Sequence, residues 1–163
     1  MKAHDPAELQ SASDYLEFII HMAEADIDVL REWHEATFKR NVYIDSILIR
    51  LRSLIEFLTA HSTSLDTDVI ARHYVADFKL PEPERRWLLD QKKLIDTTLA
   101  HLTILPMPKL ISEVKFPYTE IYRRVFDGLK LFFDASPSNI LDQTKTTFQR
   151  AFRLRQELGK KES

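Results

Sequence analysis

The chain has 163 residues, 44% of them hydrophobic and none of them cysteine. It can therefore bury one core unaided, and disulfide frameworks, thiolate catalysis and cysteine-based metal centres are excluded. A net charge of −2 gives no global attraction to nucleic acid. The opening MKAHDPAELQSASD is polar and acidic, and no segment reaches the ~18 uninterrupted apolar residues of a membrane span, which predicts one cytoplasmic domain over 1–163 with no membrane contact.

Residues 1–12 read as a flexible lead-in. Ser13 and Asp14 then precede Tyr15, Phe18, Ile19, Met22, Val29, Leu30 and Trp33, close to helical period, with Asp14 and Glu17 spaced as a variant capping box. The first helix is expected from near residue 14 into the high thirties. Residues 1–35 carry nine acids against two bases, which makes this the acidic end of the chain.

The second helix has the clearest pattern: Ile44, Ile47, Leu48, Leu51, Leu54, Ile55 and Leu58 recur every three or four residues, ending near His61. Thr67-Asp68 can cap a short helix through Val69, Ile70 and Tyr74. Pro81 and Pro83 suit the start of a third main helix carrying Trp87, Leu88, Leu94, Ile95, Leu99, Leu102 and Leu105, which Pro106 and Pro108 stop. The apolar stretch Pro106–Pro117 is expected against the bundle, with one short strand as an alternative.

The fourth helix, Tyr118 to Phe133, places Ile121, Tyr122, Val125, Leu129 and Phe132 on its buried side. Ser136-Pro137 is spaced as a cap and first-turn proline for a fifth, through Leu141, Phe148, Ala151, Phe152 and Leu158. Between Lys145 and Lys161, six bases face one acid, an arrangement the helix dipole favours at a C-terminus. Residues 159–163 read as a flexible tail. The fold expected is all-α, an antiparallel bundle of about five helices.

Several polar residues fall on or beside these stripes. Asp45, Arg52, Glu56 and Thr59 follow steps of seven, four and three, so they share one ridge of the second helix, and Arg52 and Glu56 can pair at i,i+4. Either the ridge is a solvated face or it lines a cleft beside the third helix. There, Trp87, Leu94 and His101 are each seven apart, which directs the imidazole toward packed surface. His101 is then a hydrogen-bonded core residue or a proton acceptor and donor near neutral pH. Asp96 and Lys93 stand close to it along the helix.

Other chemistries lack their residues. The remaining histidines make no i,i+4 metal pair, no Glu-x-x-His occurs, and Asp26-x-Asp28 lacks the glycine and terminal glutamate of a calcium loop. Two glycines, Gly128 and Gly159, supply no phosphate-cradling loop and no dinucleotide fingerprint. No metal and no cofactor is expected.

Three segments, NVYIDSILIRLRSLIEFL from Asn41, DVIARHYVADF from Asp68 and LAHLT from Leu99, are together similar to bacterial helical proteins that resemble the HEPN superfamily. The likeness spans roughly residues 40–104. It implies a HEPN-like bundle that dimerises and cleaves RNA without metal through an Arg-x4-6-His motif. His101 matches the motif histidine, and Asp96 falls where a polar residue follows the arginine. The arginine itself does not carry over, since the permitted spacings land on Leu94, Ile95 and Asp96.

The resemblance therefore implies either catalysis by His101 and Asp96, with Lys92, Lys93 or Arg52 holding the RNA phosphate and Asp45 and Glu56 as a supporting polar ridge, or a fold whose cleavage is degenerate. An offset lysine replaces a bidentate fork poorly, and losing one such group costs ~10²–10³ in rate. The expected partners are a second copy and RNA. The alternative is a non-enzymatic helical module that docks a partner protein through its acidic first helix or basic last one.

Overall fold

The structure, a computed structural model, describes residues 4–32, 38–62, 69–101, 117–136 and 141–159; of 31–32, 38–41, 98, 100, 101 and 151–159 it describes the backbone alone. All regular structure among them is helical: α1 (Pro6–Glu32), α2 (Phe38–Thr59), α3 (Ala71–Tyr74), α4 (Glu82–His101), α5 (Tyr118–Ala135) and α6 (Asp142–Gly159). The stretch Pro106–Phe116, expected against the bundle, lies outside the described residues, as do Trp33, Leu102 and Leu105. No helix among the described residues is long and apolar enough to cross a membrane.

The first helix starts at Pro6, earlier than expected. The Asp5 carboxylate accepts from the Glu8 backbone N–H at 2.8 Å, and the Glu8 carboxylate accepts from the Asp5 N–H at 3.1 Å. This reciprocal capping box, with Pro6 at the first helical position, satisfies amides that would otherwise be orphaned. Asp14 and Glu17 repeat its spacing inside the helix, without a proline, and cap nothing.

The buried face of α1 is also rotated from the expected one. Leu16, Ile20, Ala23 and Ile27, spaced by four, three and four, form its centre, with Ile19 and Leu30 beside them. Tyr15 and Phe18, expected in the core, are 64% and 54% exposed. On α2 and α5 the expected stripes are buried throughout: Ile44 to Leu58 on one, Ile121 to Phe132 on the other. Burial of this kind contributes ~1.5–3 kcal/mol per large side chain.

Polar contacts fix the order of the helices. Arg50 of α2 donates to Asp26 of α1, while Ala12 of α1 and Ala60, just past the end of α2, line one groove further along, so α1 and α2 run antiparallel. Arg85 donates to the Thr59 carbonyl and Arg52 pairs with Asp96, so α2 and α4 run antiparallel as well. Thr144 of α6 donates to the Ser13 carbonyl at 3.1 Å, and Thr147 donates to Glu17 at 2.6 Å; both numbers rise together, and α1 and α6 are parallel.

Phe132 is the centre of the core. It is fully buried, and its ring meets Phe57, Phe78 and Tyr74 edge-on at centroid separations of 5.1, 5.4 and 6.0 Å, with Phe133 tilted against it at 5.2 Å. Edge-to-face aromatic pairs add ~0.5–1.5 kcal/mol beyond area burial. Gly128 lets α5 approach closely, since a Cβ there would stand 3.1 Å from Leu58 Cδ1. Ser136, expected to cap the fifth main helix, is instead the extended C-cap of α5, and α6 runs from Asp142 with Leu141 and Phe148 buried.

Candidate functional site

Four of the residues singled out from sequence meet between α2 and α4. Arg52 Nε donates to Asp96 Oδ1, and Lys92 Nζ donates to Asp96 Oδ2 at 3.1 Å. Glu56 completes the set, 3.6 Å from Arg52 and 3.8 Å from Lys92. The two cations and two carboxylates balance. Burial pushes the Asp96 carboxyl up, but the hydrogen bonds and charges of Arg52 and Lys92 together hold it below the usual aspartate value; the same bond raises Arg52.

The spacing explains this convergence. Arg52 and Glu56 are one turn apart on α2, as are Lys92 and Asp96 on α4, so the antiparallel contact places each pair against the other. Lys93 is exposed outside the cluster. Asp45 is half-buried on α2 and also outside it, its carboxyl raised by burial. Thr59, the last member of the expected ridge, is buried, with its hydroxyl on the Ile55 carbonyl at 2.7 Å.

His101 is the last residue of α4, and its side chain lies outside the described residues. The Trp87–Leu94–His101 ridge does not follow the middle of the core face, since Leu88 and Ile95 are fully buried whereas Leu94 is 37% exposed. Trp87 serves another contact, carrying the Arg124 guanidinium 4.2 Å over its ring. Arg124 also bonds Glu84 at 3.1 Å and Glu120 at 2.7 Å, and the Arg123 and Arg124 bonds pull the Glu120 carboxyl down to about 2. These contacts tie α4 to α5.

A second site lies between α1 and α2. A groove of about 840 Å³ is walled by Tyr15, Leu16 and Ile19 on one helix and Ser53, Leu54 and Phe57 on the other. Its far end is closed by His4, Glu8, Val69 and Ile70. Phe18 extends the α1 wall, its ring stacked on Tyr15 at 6.2 Å. Ile49, 54% exposed, lies one turn before Ser53 on the same side of α2.

Polar contacts pin α1 to α2 beyond the groove. Arg50 bonds both Asp26 and Ser46 where α1 crosses α2, and Asp26 is almost fully buried. Burial raises the Asp26 carboxyl, against hydrogen bonding by Ser46 and the charge of Arg50. At the closed end the His4 and His73 rings meet edge-on at 4.4 Å, His4 Nδ1 lies 3.1 Å from Glu8, and His73 Nδ1 accepts from the Ile70 N–H at 3.2 Å. Tyr74 donates to the Leu9 carbonyl at 2.8 Å, holding α3 on the start of α1.

Tyr15 and Phe18 are the functional candidates that hydrophobic periodicity misassigns. The stripe through Leu16, Ile20, Ala23 and Ile27 leaves both rings outside, on a second apolar strip, and that double striping is the signal in the sequence. Among the described residues, no three histidines or carboxylates stand close enough to hold a metal. No protein-family model matches the chain, and no curated protein or solved structure is significantly similar to it. The class defined by the fold is an all-helical bundle with an open groove on its first helix pair.

Proposed function

We propose that the protein is a non-enzymatic interaction module whose α1–α2 face docks a partner protein. The observation that carries this is the groove together with its exposed aromatic border: Tyr15 and Phe18 are more than half exposed and stacked on one another, at the edge of an apolar floor of Leu16, Leu54 and Phe57. Contiguous exposed apolar surface of this kind marks a binding face, since it is costly to leave in water. The polar quartet between α2 and α4 then serves to hold the helices in register.

A crosslinking amino acid placed at Phe18 tests the proposal. In the host cell, p-benzoylphenylalanine at 18 is expected to give a discrete, RNase-resistant protein adduct, whereas the same group at Leu131, an exposed apolar position on α5, gives none. Equal adducts at both positions, or none at 18, would defeat the proposal.

A second reading, the HEPN-like RNA-associated dimer, is favoured by one observation. Asp96, five residues before His101, receives both Arg52 and Lys92, so two cations gather on α4 within two turns of His101, one from another helix and one from its own preceding turn. In that reading His101 acts as general acid or base in attack of a ribose 2′-hydroxyl on the adjacent phosphate, with Asp96 orienting it. The two carboxylates oppose it, because they already neutralise both cations. Chelator-resistant cleavage of single-stranded RNA, lost in His101→Ala with the fold intact, would establish it over docking.

A further inference from the structure

We infer that His73 is a proton-operated latch: neutral, it fastens α3 to the start of α1 and closes one end of the α1–α2 groove; protonated, it releases both. This holds whatever the groove binds. His73 Nδ1 accepts from the Ile70 N–H at 3.2 Å, so that nitrogen carries no proton in the closed form. The neutral ring therefore keeps its proton on Nε2, which is buried without a partner among the described residues.

Protonation upsets both nitrogens. A proton added to Nδ1 faces the Ile70 N–H donor to donor, and the bond that caps α3 is lost. The cation gains no acceptor at Nε2, so its charge is stranded on a half-buried ring. Water solvates it only when α3 lifts away. Val69 and Ile70 close the groove end together with His4 and Glu8, and Tyr74, donating to the Leu9 carbonyl, is then the remaining polar tie from α3 to α1 among the described contacts.

The groups around His73 single it out as the sensor. From the start of α1 comes His4, whose ring meets it edge-on at 4.4 Å, with Glu8 behind. His4 Nδ1 lies 3.1 Å from Glu8, so His4 keeps a carboxylate partner in either protonation state, whereas His73 has none. Asp5 takes the Glu8 N–H and Asp14 the Gln10 side chain. On α3 itself the neighbours are Arg72, which donates to the Phe78 carbonyl, and Tyr74. Burial, then His4, hold His73 below the ordinary 6.5, so closure is favoured above pH 6.5 and lost as pH falls from there through the lower folded value.

Amide exchange of the full chain, followed by NMR and corrected for the intrinsic pH dependence of exchange, tests the latch. The Val75 amide, which donates to the Ala71 carbonyl at 3.0 Å, should lose protection severalfold between pH 7.5 and 5.0. One proton sets a ceiling of ~30-fold, and amides of α2 and α5 should hold. The midpoint should coincide with the titration of the His73 ring, read from its Cε1 proton. His73→Asn, whose Oδ1 keeps an acceptor near the Nδ1 position without titrating, should hold Val75 protection constant.

Val75 protection unchanged at pH 5.0 overturns the inference, as does a loss shared equally by α2 and α5, which is acid unfolding of the whole chain. A midpoint that follows the His4 ring instead overturns it on the wild-type chain alone, whether or not the variant folds. A folded His73→Asn chain that loses protection as the wild type does overturns it too.

Discussion

Replacing Arg50 with methionine removes the only basic side chain bonded to Asp26 among the described contacts and leaves a carboxylate whose side chain is 4% exposed. Breaking a buried ion pair from one side costs ~3–5 kcal/mol, since the remaining charge is stranded. Arg50 itself is 20% exposed and the Ser46 hydroxyl stays beside Asp26, which places the cost at the lower end, ~3 kcal/mol. With a urea slope of ~2 kcal/mol/M, the unfolding midpoint followed by circular dichroism should fall by ~1.5 M at pH 7.

The pH response gives the sign. Asp26 already has a folded-state value raised above the ordinary 3.8, and losing Arg50 raises it further. A raised carboxylate binds protons more readily in the folded chain, so folding is favoured at low pH and that contribution is lost as pH rises through the folded value. The deficit of Arg50→Met should therefore shrink between pH 7 and pH 5, and Asp26→Leu/Arg50→Met should recover much of it. A loss under 1 kcal/mol at pH 7, or a deficit unchanged at pH 5, would refute the buried-pair account.

Phe132→Ala should cost ~3–5 kcal/mol in chemical denaturation, because its ring is fully buried among four others. Asp5→Ala removes one half of the capping box and should cost ~1 kcal/mol, read from the same urea curves, with α1 amide exchange accelerated in its first turn. Burial, then His4, hold His73 below the ordinary 6.5, so the folded chain favours neutral imidazole. That stability is present above pH 6.5 and lost as pH falls through the lower folded value; His73→Phe should flatten the melting temperature between pH 7 and pH 5. Tyr15→Ser/Phe18→Ser should move stability by no more than ~0.5 kcal/mol, since both rings are exposed.

Where side chains bury one unbroken stripe, the sequence is enough to find it. The three- and four-residue rhythm from Ile44 to Leu58 marks α2, and that from Ile121 to Phe132 marks α5, each with the buried face correctly assigned. On α1 two apolar strips run side by side, and periodicity alone cannot tell which one faces the bundle; tertiary packing chose Leu16 and Ile20 over Tyr15 and Phe18. The start of α1 was legible in Asp5-Pro6-Ala7-Glu8, whose chemistry is stronger than that of the Asp14 and Glu17 pair.

The quartet was half legible. One-turn spacings give Arg52 with Glu56 and Lys92 with Asp96, but only the antiparallel register of α2 and α4 shows that each cation meets a carboxylate of the other helix. The groove was not legible at all, since it needs the crossing of α1 and α2 and the return of Val69 and Ile70 to its end. The basic stretch of the last helix remains a matter of sequence beyond Arg150, its side chains lying outside the described residues.

Docking requires the α1–α2 face to be covered in the cell. Oxidative footprinting of the intact host compares the labelling of Tyr15, Phe18 and Met22 with the purified chain, using Leu131 as an exposed reference on α5. Docking predicts severalfold protection of the α1 residues in the cell with Leu131 unchanged. Equal labelling of Tyr15 and Phe18 in both settings would contradict it.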